Sequence, residues 1–301
     1  MSAGDGYLLL NKKPGLTSFE SLSAIKKIFS TAKVGHTGTL DKFAGGLLLL
    51  LVGRGVKLAS LFEKCSKEYT GTVFFGAETD TLDPEGEIVE RGPVPSQAQL
   101  EATMDAFRGE IMQAPPAYSA VHIDGQRAHK LARQGKAVEM KKRPVTIHEL
   151  ELLSFTAPLA VIRAHVSAGT YIRSLARDIA LAAGSRAHLN SLERTKLGPF
   201  RLEDAVEAEN CLNGLRPLDR AFFQALSLPC FSIGEAAARG FVHGRPLEGL
   251  IAPEDLSSST ASTAGIFREK APVAQAQREE LLGFISRKNS KWTYGHVFAA
   301  T

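Results

Sequence analysis

The sequence has few cysteines and no apolar segment long enough to cross a membrane, and both shortages narrow the class of protein. Its three cysteines, Cys65, Cys211 and Cys230, are odd in number and widely spaced, which predicts neither a disulfide framework nor a metal site. The apolar residues 47–52 are far too few to cross a bilayer. No apolar stretch follows a basic region at the N-terminus, so we expect no secretory signal. These shortages favour a protein of the reducing cytoplasm.

The positive charge of the chain is concentrated in one segment. Apolar residues make up 44% and charged residues 23% of the 301 residues, which is ordinary for a globular protein of one large domain or two. The net charge is +4, yet seven basic residues and one acid between Gly125 and Pro144 give that segment +6, so the other residues sum to −2. Such a segment predicts a phosphate-contacting surface, with a solvated helix face as the alternative. Its basic residues are Arg127, Lys130, Arg133, Lys136, Lys141, Lys142 and Arg143, and its acid is Glu139.

Strand and helix patterns alternate along the first two thirds of the chain without an internal repeat. Thr17 and Glu20 form a capping-box pattern before an amphipathic helix predicted over residues 18–29. Because the alternation shows no regular βαβ repeat, it predicts an α+β class with a mixed, largely antiparallel sheet flanked by helices. Strands are predicted at residues 7–10, 47–52, 68–75 and 160–166, and further helices begin at Ser96 and after Gly169, the last ending at Gly184.

The sequence pattern changes around residue 226. The residues that follow show a short helix and several strands, and residues 257–263 (SSSTAST) predict a flexible loop. We therefore expect two domains, residues 1–225 and residues 226–301, of which the second is small and β-rich.

A short polar loop is the first candidate for chemistry. Residues 35–41 (GHTGTLD) place glycines, threonines and a histidine before a single carboxylate, Asp41. Glycine lets a backbone approach a ligand closely, threonine and histidine supply hydrogen bonds, and aspartate serves as a nucleophile or a base. A polar turn whose aspartate caps a short helix fits the local pattern equally well, so both interpretations stay open at this point.

An ordered series of motifs resembles the TruB family of bacterial-type tRNA pseudouridine synthases over residues 7–201. One such motif alone would be a weak signal, but the series occurs in the order expected of the family. The motifs are G-H-x-G-x-L-D at 35–41, K-x-Y at 67–69, G-x-x-T-D-T at 76–81, Y-S-A at 118–120, A-R-Q-G at 132–135, G-T-Y-I-R at 169–173, A-H-L at 187–189 and R-T-x-x-G-P-F at 194–200.

The resemblance implies an isomerase that converts uridine to pseudouridine at the T-loop position of tRNA conventionally numbered 55. It assigns Asp41 as the nucleophile, Arg173 as its ionic partner, and Tyr69 as the residue that stacks on the target base. His36 would enter the T loop and take the space of the displaced nucleotide, since the base must leave the stack. The reaction involves no redox change, so no cofactor and no metal are expected.

The resemblance also implies how the RNA is held. The fold would be a pseudouridine-synthase catalytic core with an insertion at about residues 115–145 that closes over the stem-loop, followed by a small PUA-like RNA-binding domain. The partner would be the T stem-loop of tRNA, with no membrane contact, bound by a monomer in the cytoplasm. The implied RNA contacts are Lys12, Lys13, Tyr171, Arg127, Arg133, Lys141, Lys142 and Arg143, in addition to His36.

The chain departs from the family pattern at three places, each of which bears on RNA affinity. Lys42 follows Asp41 where the family usually has proline, Arg186 replaces a common glycine, and Glu193 replaces a common arginine. The alternatives kept open are an RNA-binding or tRNA-folding module, and a pseudouridine synthase that acts on another RNA, including a guide-dependent one. A carboxylate glycosidase fits less well because it normally needs two facing acids. The acids of residues 80–85 are interpreted as a solvated hairpin turn.

Overall fold

The computed structural model describes residues 4–29, 33–119, 121–123, 126–128, 131, 134, 140–252, 256, 261–273, 276–289 and 291–298. Two of its helices begin at capping boxes that the sequence predicts. The side chain of Thr17 accepts from the backbone N–H of Glu20, and the side chain of Ser96 accepts from that of Gln99. The helices are α1 (Ser18–Ile28), α2 (Gln97–Met104), α3 (Ile172–Ala182), α4 (Arg220–Ala225) and α5 (Glu235–Val242).

The first sheet has nine strands and is antiparallel except for one pair. Its order is β1-β3-β12-β4-β11-β10-β7, with β2 attached to β3 and β13 attached to β12, and only β12 and β3 pair in parallel. This is the mixed, largely antiparallel sheet that the sequence predicts. The strands of the first 201 residues, which include four that are not part of this sheet (β5, β6, β8 and β9), are β1 (Gly6–Lys12), β2 (Val34–His36), β3 (Gly45–Val52), β4 (Lys67–Phe75), β5 (Ala77–Thr79), β6 (Ile88–Arg91), β7 (Gly109–Gln113), β8 (His122–Ile123), β9 (Gln126–Arg127), β10 (Arg143–Thr156), β11 (Leu159–Val166), β12 (Ala187–Leu197) and β13 (Phe200–Arg201).

Strand β3 is apolar along its whole length because both faces of the sheet are covered there. Every residue of β3 is buried. Leu48 and Leu50 belong to the apolar cluster on one face, and Leu47, Leu49 and Leu51 to the cluster on the other. A strand covered on both faces reads as a continuous apolar segment rather than an alternating one. Strand β3 therefore gives a rigid support for the loop that precedes it.

The C-terminal residues form a second sheet with its own apolar cluster. That sheet has the order β14-β15-β16-β17 and packs against α5 through residues such as Phe241 and Ile266. Phe267, Phe284 and Phe298 instead join the cluster beneath β3, so the two sheets share apolar contacts. The strands are β14 (Cys230–Ile233), β15 (Thr263–Val273), β16 (Ala276–Lys288) and β17 (Lys291–Val297). Residues 257–260 of the predicted flexible loop lie outside the described residues.

One edge of β3 is divided between two partners, and this division positions the polar loop. Strand β1 pairs with residues 46–52 along the other edge, whereas β2 pairs only with residues 50–52 and β12 only with residues 45–46. Residues 37–44 occupy the opening between β2 and β12. Gly46 makes the close contact with β12 possible, since its φ is +94° and a Cβ there would lie 2.5 Å from the carbonyl oxygen of Arg194.

Candidate active site

Asp41 and Arg173 are 132 residues apart in the sequence, and the fold brings them together. Asp41 lies in the loop before β3, and Arg173 lies in the first turn of α3. Arg173 Nη2 donates to Asp41 Oδ1 at 3.2 Å, and Arg173 Nε lies 3.0 Å from Asp41 Oδ2. This two-point contact fixes the orientation of the carboxylate as well as its position. The structure thus pairs the two residues that the sequence motifs singled out.

Arg173 is itself held from the side away from Asp41. Its Nη1 donates to the carbonyl of Thr81 at 2.7 Å and to Asp83 Oδ2 at 3.3 Å, and its Nη2 donates to the carbonyl of Tyr118 at 3.0 Å. The Arg173 side chain is 5% exposed and the Asp83 side chain 7%. A buried guanidinium whose two terminal nitrogens are both hydrogen-bonded in this way has little freedom to turn away from Asp41.

The interpretation of residues 80–85 as a solvated turn is wrong for Asp83. Its side chain is buried, and its Oδ1 accepts from the hydroxyl of Thr81 at 2.6 Å and from the backbone N–H of Glu85 at 3.1 Å. A D-P-E-G sequence is typical of an exposed turn, and the contact that buries Asp83 comes from Arg173, 90 residues away along the chain. Asp83 is therefore a site residue that the sequence analysis missed.

Burial and charge act in opposite directions on the Asp41 carboxyl. Loss of solvation raises the pKa of Asp41 above its ordinary value, the neighbouring Arg173 lowers it, and the Asp83 carboxylate raises it again. Burial has the larger effect, so the net shift of the pKa is upward. The side chain keeps 40% of its surface exposed because it faces an open cavity. The protein therefore holds a poorly solvated carboxylate where a ligand can reach it.

The cavity in front of Asp41 has a volume of about 790 Å³ and is lined by both aromatic and polar side chains. Tyr69 is 8% exposed and lies on β4, where it pairs with Ala164 of β11 on one side and with Arg194 of β12 on the other. Tyr171 immediately precedes α3, and its backbone N–H and carbonyl both bond the side-chain amide of Gln113. Two aromatic side chains thus share the cavity with the carboxylate.

His36 lies at the end of β2 and also lines this cavity. Its Nδ1 is buried and has no hydrogen-bond partner among the described residues. Burial lowers the pKa of His36, and the charge of Arg194 lowers it further, so the ring is neutral at pH 7. A buried ring nitrogen without a partner is a group available to a ligand.

Arg194 is bonded to the loop that carries Asp41, and the sequence analysis did not single it out. It is 1% exposed, and it donates from Nε to the carbonyl of Leu47 at 2.8 Å and from Nη2 to the carbonyl of Gly38 at 3.2 Å. The first bond satisfies a carbonyl of β3 just beyond the two residues that β12 pairs, and the second holds the loop before Asp41. The R-T-x-x-G-P-F motif contains Arg194, which was the available signal.

The placement of Lys12 does not fit the predicted phosphate contact. The residue is 1% exposed, and its Nζ donates to the carbonyl of Ala44 at 2.6 Å, to that of Lys13 at 3.0 Å and to that of Lys42 at 3.5 Å. It also donates to the carbonyl of Leu16 at 2.5 Å, and burial lowers the pKa of its ammonium to about 8. An ammonium enclosed in this way joins the turn after β1 to the C-terminal end of the Asp41 loop and has no free face for RNA.

The other basic residues among the predicted RNA contacts that the structure describes lie on the surface in different environments. Lys13 pairs with Glu207 at 2.6 Å, and Arg127, Lys141 and Lys142 are exposed. Arg143 donates to the carbonyl of Gly169 at 2.6 Å, and its guanidinium lies 5.2 Å from the centre of the Tyr171 ring. Lys130, Arg133 and Lys136 fall outside the described residues.

Two of the three departures from the family pattern are paired with acids. Lys42 Nζ lies 3.2 Å from Glu85 Oε1 at the mouth of the cavity, and Arg186 Nη2 lies 2.6 Å from Glu90 Oε1. Glu193 is exposed on β12. Among the described residues, no cluster of three histidine, cysteine or acidic side chains is arranged to hold a metal ion. None of the described helices is both long and apolar enough to span a membrane.

Comparison with known proteins gives one consistent answer. The family model described as TruB family pseudouridylate synthase (N terminal domain) matches residues 26–172. A tRNA pseudouridine synthase B of Borreliella burgdorferi strain ZS7 is 50% identical over 209 residues, which is 68% of this chain and 74% of that protein. One of Novosphingobium aromaticivorans is 43% identical over 263 residues, or 82% of this chain and 86% of that protein. A chain of a solved Cbf5-Nop10-Gar1 complex superposes with a TM-score of 0.67 at 26% identity, over 94% of this chain and 78% of that one. The protein therefore belongs to the TruB family of pseudouridylate synthases.

Proposed function

We propose that this enzyme isomerises the T-loop uridine of tRNA to pseudouridine, with Asp41 as the nucleophile. The observation that carries the proposal is the Arg173-held carboxylate of Asp41, which faces a cavity lined by Tyr69. The related enzymes at 43% and 50% identity are tRNA pseudouridine synthases. The α+β fold and the family are those that the sequence motifs predict.

The chemistry of the isomerisation matches the groups present. The bond from ribose C1′ to N1 of uracil breaks, the base turns, and C5 bonds to C1′. C5 loses a proton and N1 gains one, so atoms and electrons balance without an oxidant or reductant. Asp41 takes part as an ionised carboxylate, whether by bonding to C1′ or through a glycal, and Arg173 supports that ionised form. Tyr69 lies where it can stack on the turning base.

The uridine has to leave the loop before Asp41 can reach it. C1′ and C5 are shielded while the base is stacked, and the cavity opens far enough to admit an extruded nucleotide. His36 at the rim has an unpartnered ring nitrogen, which supports a role in occupying the space that the uridine leaves. RNA recognition would then depend on loop shape, 2′-hydroxyls and phosphates.

We further propose that the chain consists of two domains with different roles. Residues 1–225 form the catalytic domain, including an RNA-gripping segment at about 115–145, and residues 226–301 form a PUA-like RNA-binding domain. The separate apolar cluster around Phe241 and Ile266 supports this division. The enzyme would act as a monomer in the cytoplasm, where tRNA is available.

The function is tested by incubating the protein with unmodified full-length tRNA and mapping pseudouridine at single-nucleotide resolution. We expect one new pseudouridine, in the T loop. Pseudouridine elsewhere, with none in the T loop, would instead show a synthase for another RNA site. Tight binding with no pseudouridine anywhere would favour an RNA-binding or tRNA-folding module.

The exposed pair Lys141 and Lys142 gives a prediction about RNA affinity. The double variant Lys141→Gln/Lys142→Gln should bind a T stem-loop more weakly and lower the slope of log affinity against log salt by about 1.4, since each phosphate contact contributes about 0.7. Arg143 is left intact because it is bonded to Gly169. The matched control, Lys141→Arg/Lys142→Arg, keeps both charges and should keep the slope. A slope unchanged by the glutamines would show that these charges do not face RNA.

A further inference from the structure

Phe19 is exposed in a chain that otherwise shields its phenylalanines from solvent. All sixteen phenylalanines lie in the described part of the chain, and Phe19 is the only one among them that falls in the exposed class. It is 68% exposed. Single exposed aliphatic residues are common on a surface, whereas an exposed phenylalanine leaves a large flat aromatic face in water.

The ring of Phe19 is placed on the wall of the active-site cavity by a rigid local structure. The capping box of Thr17 and Glu20 fixes the first turn of α1. The neighbouring Ser18 hydroxyl accepts from the backbone N–H of Leu40 at 2.9 Å and donates to the carbonyl of Leu40 at 3.1 Å. The turn that carries Phe19 is thereby bonded to the residue directly before Asp41. Phe19 therefore has a defined position relative to the nucleophile.

Both cations and acids lie around Phe19. Lys26 Nζ lies 5.8 Å from the centre of the Phe19 ring, and the same cavity is lined by Lys42, which is half exposed and paired with Glu85. Exposed aromatic rings among lysines and arginines are the typical platform for single-stranded nucleic acid, because the ring stacks on a base while the cations attract the backbone. A hydrophobic protein partner would not be matched by these charges or by the polar cavity beside them.

An aromatic ring beside the cavity can assist extrusion of the target uridine. When one base leaves a loop, the bases on either side of it lose a stacking partner. An aromatic ring on the cavity wall can replace that partner at modest cost, since phenylalanine has few rotatable bonds to fix. We propose that Phe19 stacks on an unpaired nucleobase next to the target uridine, an inference that rests on the proposed T-loop substrate.

Three substitutions at Phe19 separate stacking from other roles. Phe19→Ala and Phe19→Leu should each weaken binding of a T stem-loop RNA about ten-fold, equivalent to about 1.4 kcal/mol, whereas Phe19→Tyr should stay within about two-fold of the unmodified protein. The salt dependence should not change, because no phosphate contact is lost. Leu212→Ala, 61% exposed and outside the cavity lining, is the matched control and should bind as the unmodified protein does. Thermal unfolding of all variants checks that the fold is retained.

The outcomes separate failure of the Phe19 stacking role from failure of the proposed T-loop function. RNA binding by Phe19→Ala equal to that of the unmodified protein, or leucine as good as tyrosine, would overturn the stacking role. If the unmodified protein in the same preparation makes T-loop pseudouridine, an unchanged affinity of Phe19→Ala counts against the role of Phe19 alone and leaves the proposed function standing. Absence of pseudouridine with the unmodified protein would count against the proposed function. Photo-crosslinking of a stem-loop carrying 5-bromouridine beside the target should give an adduct at Phe19, and an adduct only elsewhere would contradict the contact.

Discussion

Arg173→Met should greatly reduce activity and destabilise the fold at the same time. The substitution leaves Asp83 buried without its cation and removes both contacts to Asp41. Removing one partner of a buried ion pair costs about 3 kcal/mol of unfolding free energy, because the remaining charge stays uncompensated. We expect a fall in kcat/KM of roughly a thousand-fold or more, since the nucleophile loses its orientation. Chemical denaturation and steady-state kinetics on a T stem-loop measure the two effects.

The same substitution has a defined effect on pH dependence. In the proposed reaction Asp41 acts as a carboxylate, and burial raises its pKa above the ordinary value. Arg173 lowers that pKa, so its loss should raise it further and move the acid limb of residual activity to higher pH. Arg173→Lys keeps a charge but not the two-point contact, and it should restore little activity.

Arg177→Met is the matched control for Arg173→Met. Arg177 lies one turn later on α3 and pairs with Asp178 at 2.8 Å, outside the cavity lining. Arg177 is only 19% exposed and also donates to the carbonyl of Ala114, so its loss should cost some unfolding free energy too, but it should leave most of the activity. Equal losses of activity at the two positions would show that Arg173 acts only by supporting α3.

Asp41→Asn should separate activity from stability. The amide keeps the shape of the side chain and an oxygen that can accept from Arg173, but it cannot act as a nucleophile, so activity should fall by roughly a thousand-fold or more. Because folding raises the pKa of Asp41, the charged carboxylate destabilises the folded state above that pKa, and the cost disappears below the unfolded pKa. The asparagine variant should therefore be as stable as the unmodified protein at pH 7, or more so.

Asp178→Asn provides the comparison for Asp41→Asn. Burial also raises the pKa of Asp178, but this residue pairs with Arg177 and does not line the cavity. The variant should keep its activity. Loss of activity in both variants would indicate that a neutral side chain near α3 disturbs the fold, rather than that Asp41 has a chemical role.

The sequence predicted those parts of the structure that local patterns encode. The capping box of Thr17 and Glu20 marked the start of α1, and the apolar residues 47–52 marked the buried strand β3. Gly184, with φ of +70°, follows the end of α3 as expected for a helix stop. The pairing of Asp41 with Arg173 was expected from the family motifs, because spacing alone does not reveal a contact over 132 residues.

Three residues were misread or missed because their environments are made by distant chain segments. Asp83 is buried by Arg173 although it stands in a turn sequence, and Lys12 is enclosed by carbonyls of the loop around residues 42–44. Arg194 bonds a carbonyl of β3 just beyond the two residues that β12 pairs. In each case a charged side chain satisfies buried groups, whereas charge on its own predicts exposure.

The central claim is that Asp41 acts directly on the T-loop uridine, and it is tested most directly by release of the C5 hydrogen. Pseudouridine formation replaces the C5–H bond, so a T stem-loop tritiated at C5 of that uridine loses its label only when the isomerisation proceeds. With enzyme in excess and the RNA fully bound, we expect complete release by the unmodified protein and none by Asp41→Asn at equal occupancy. Release by Asp41→Asn at the rate of the unmodified protein would contradict the account.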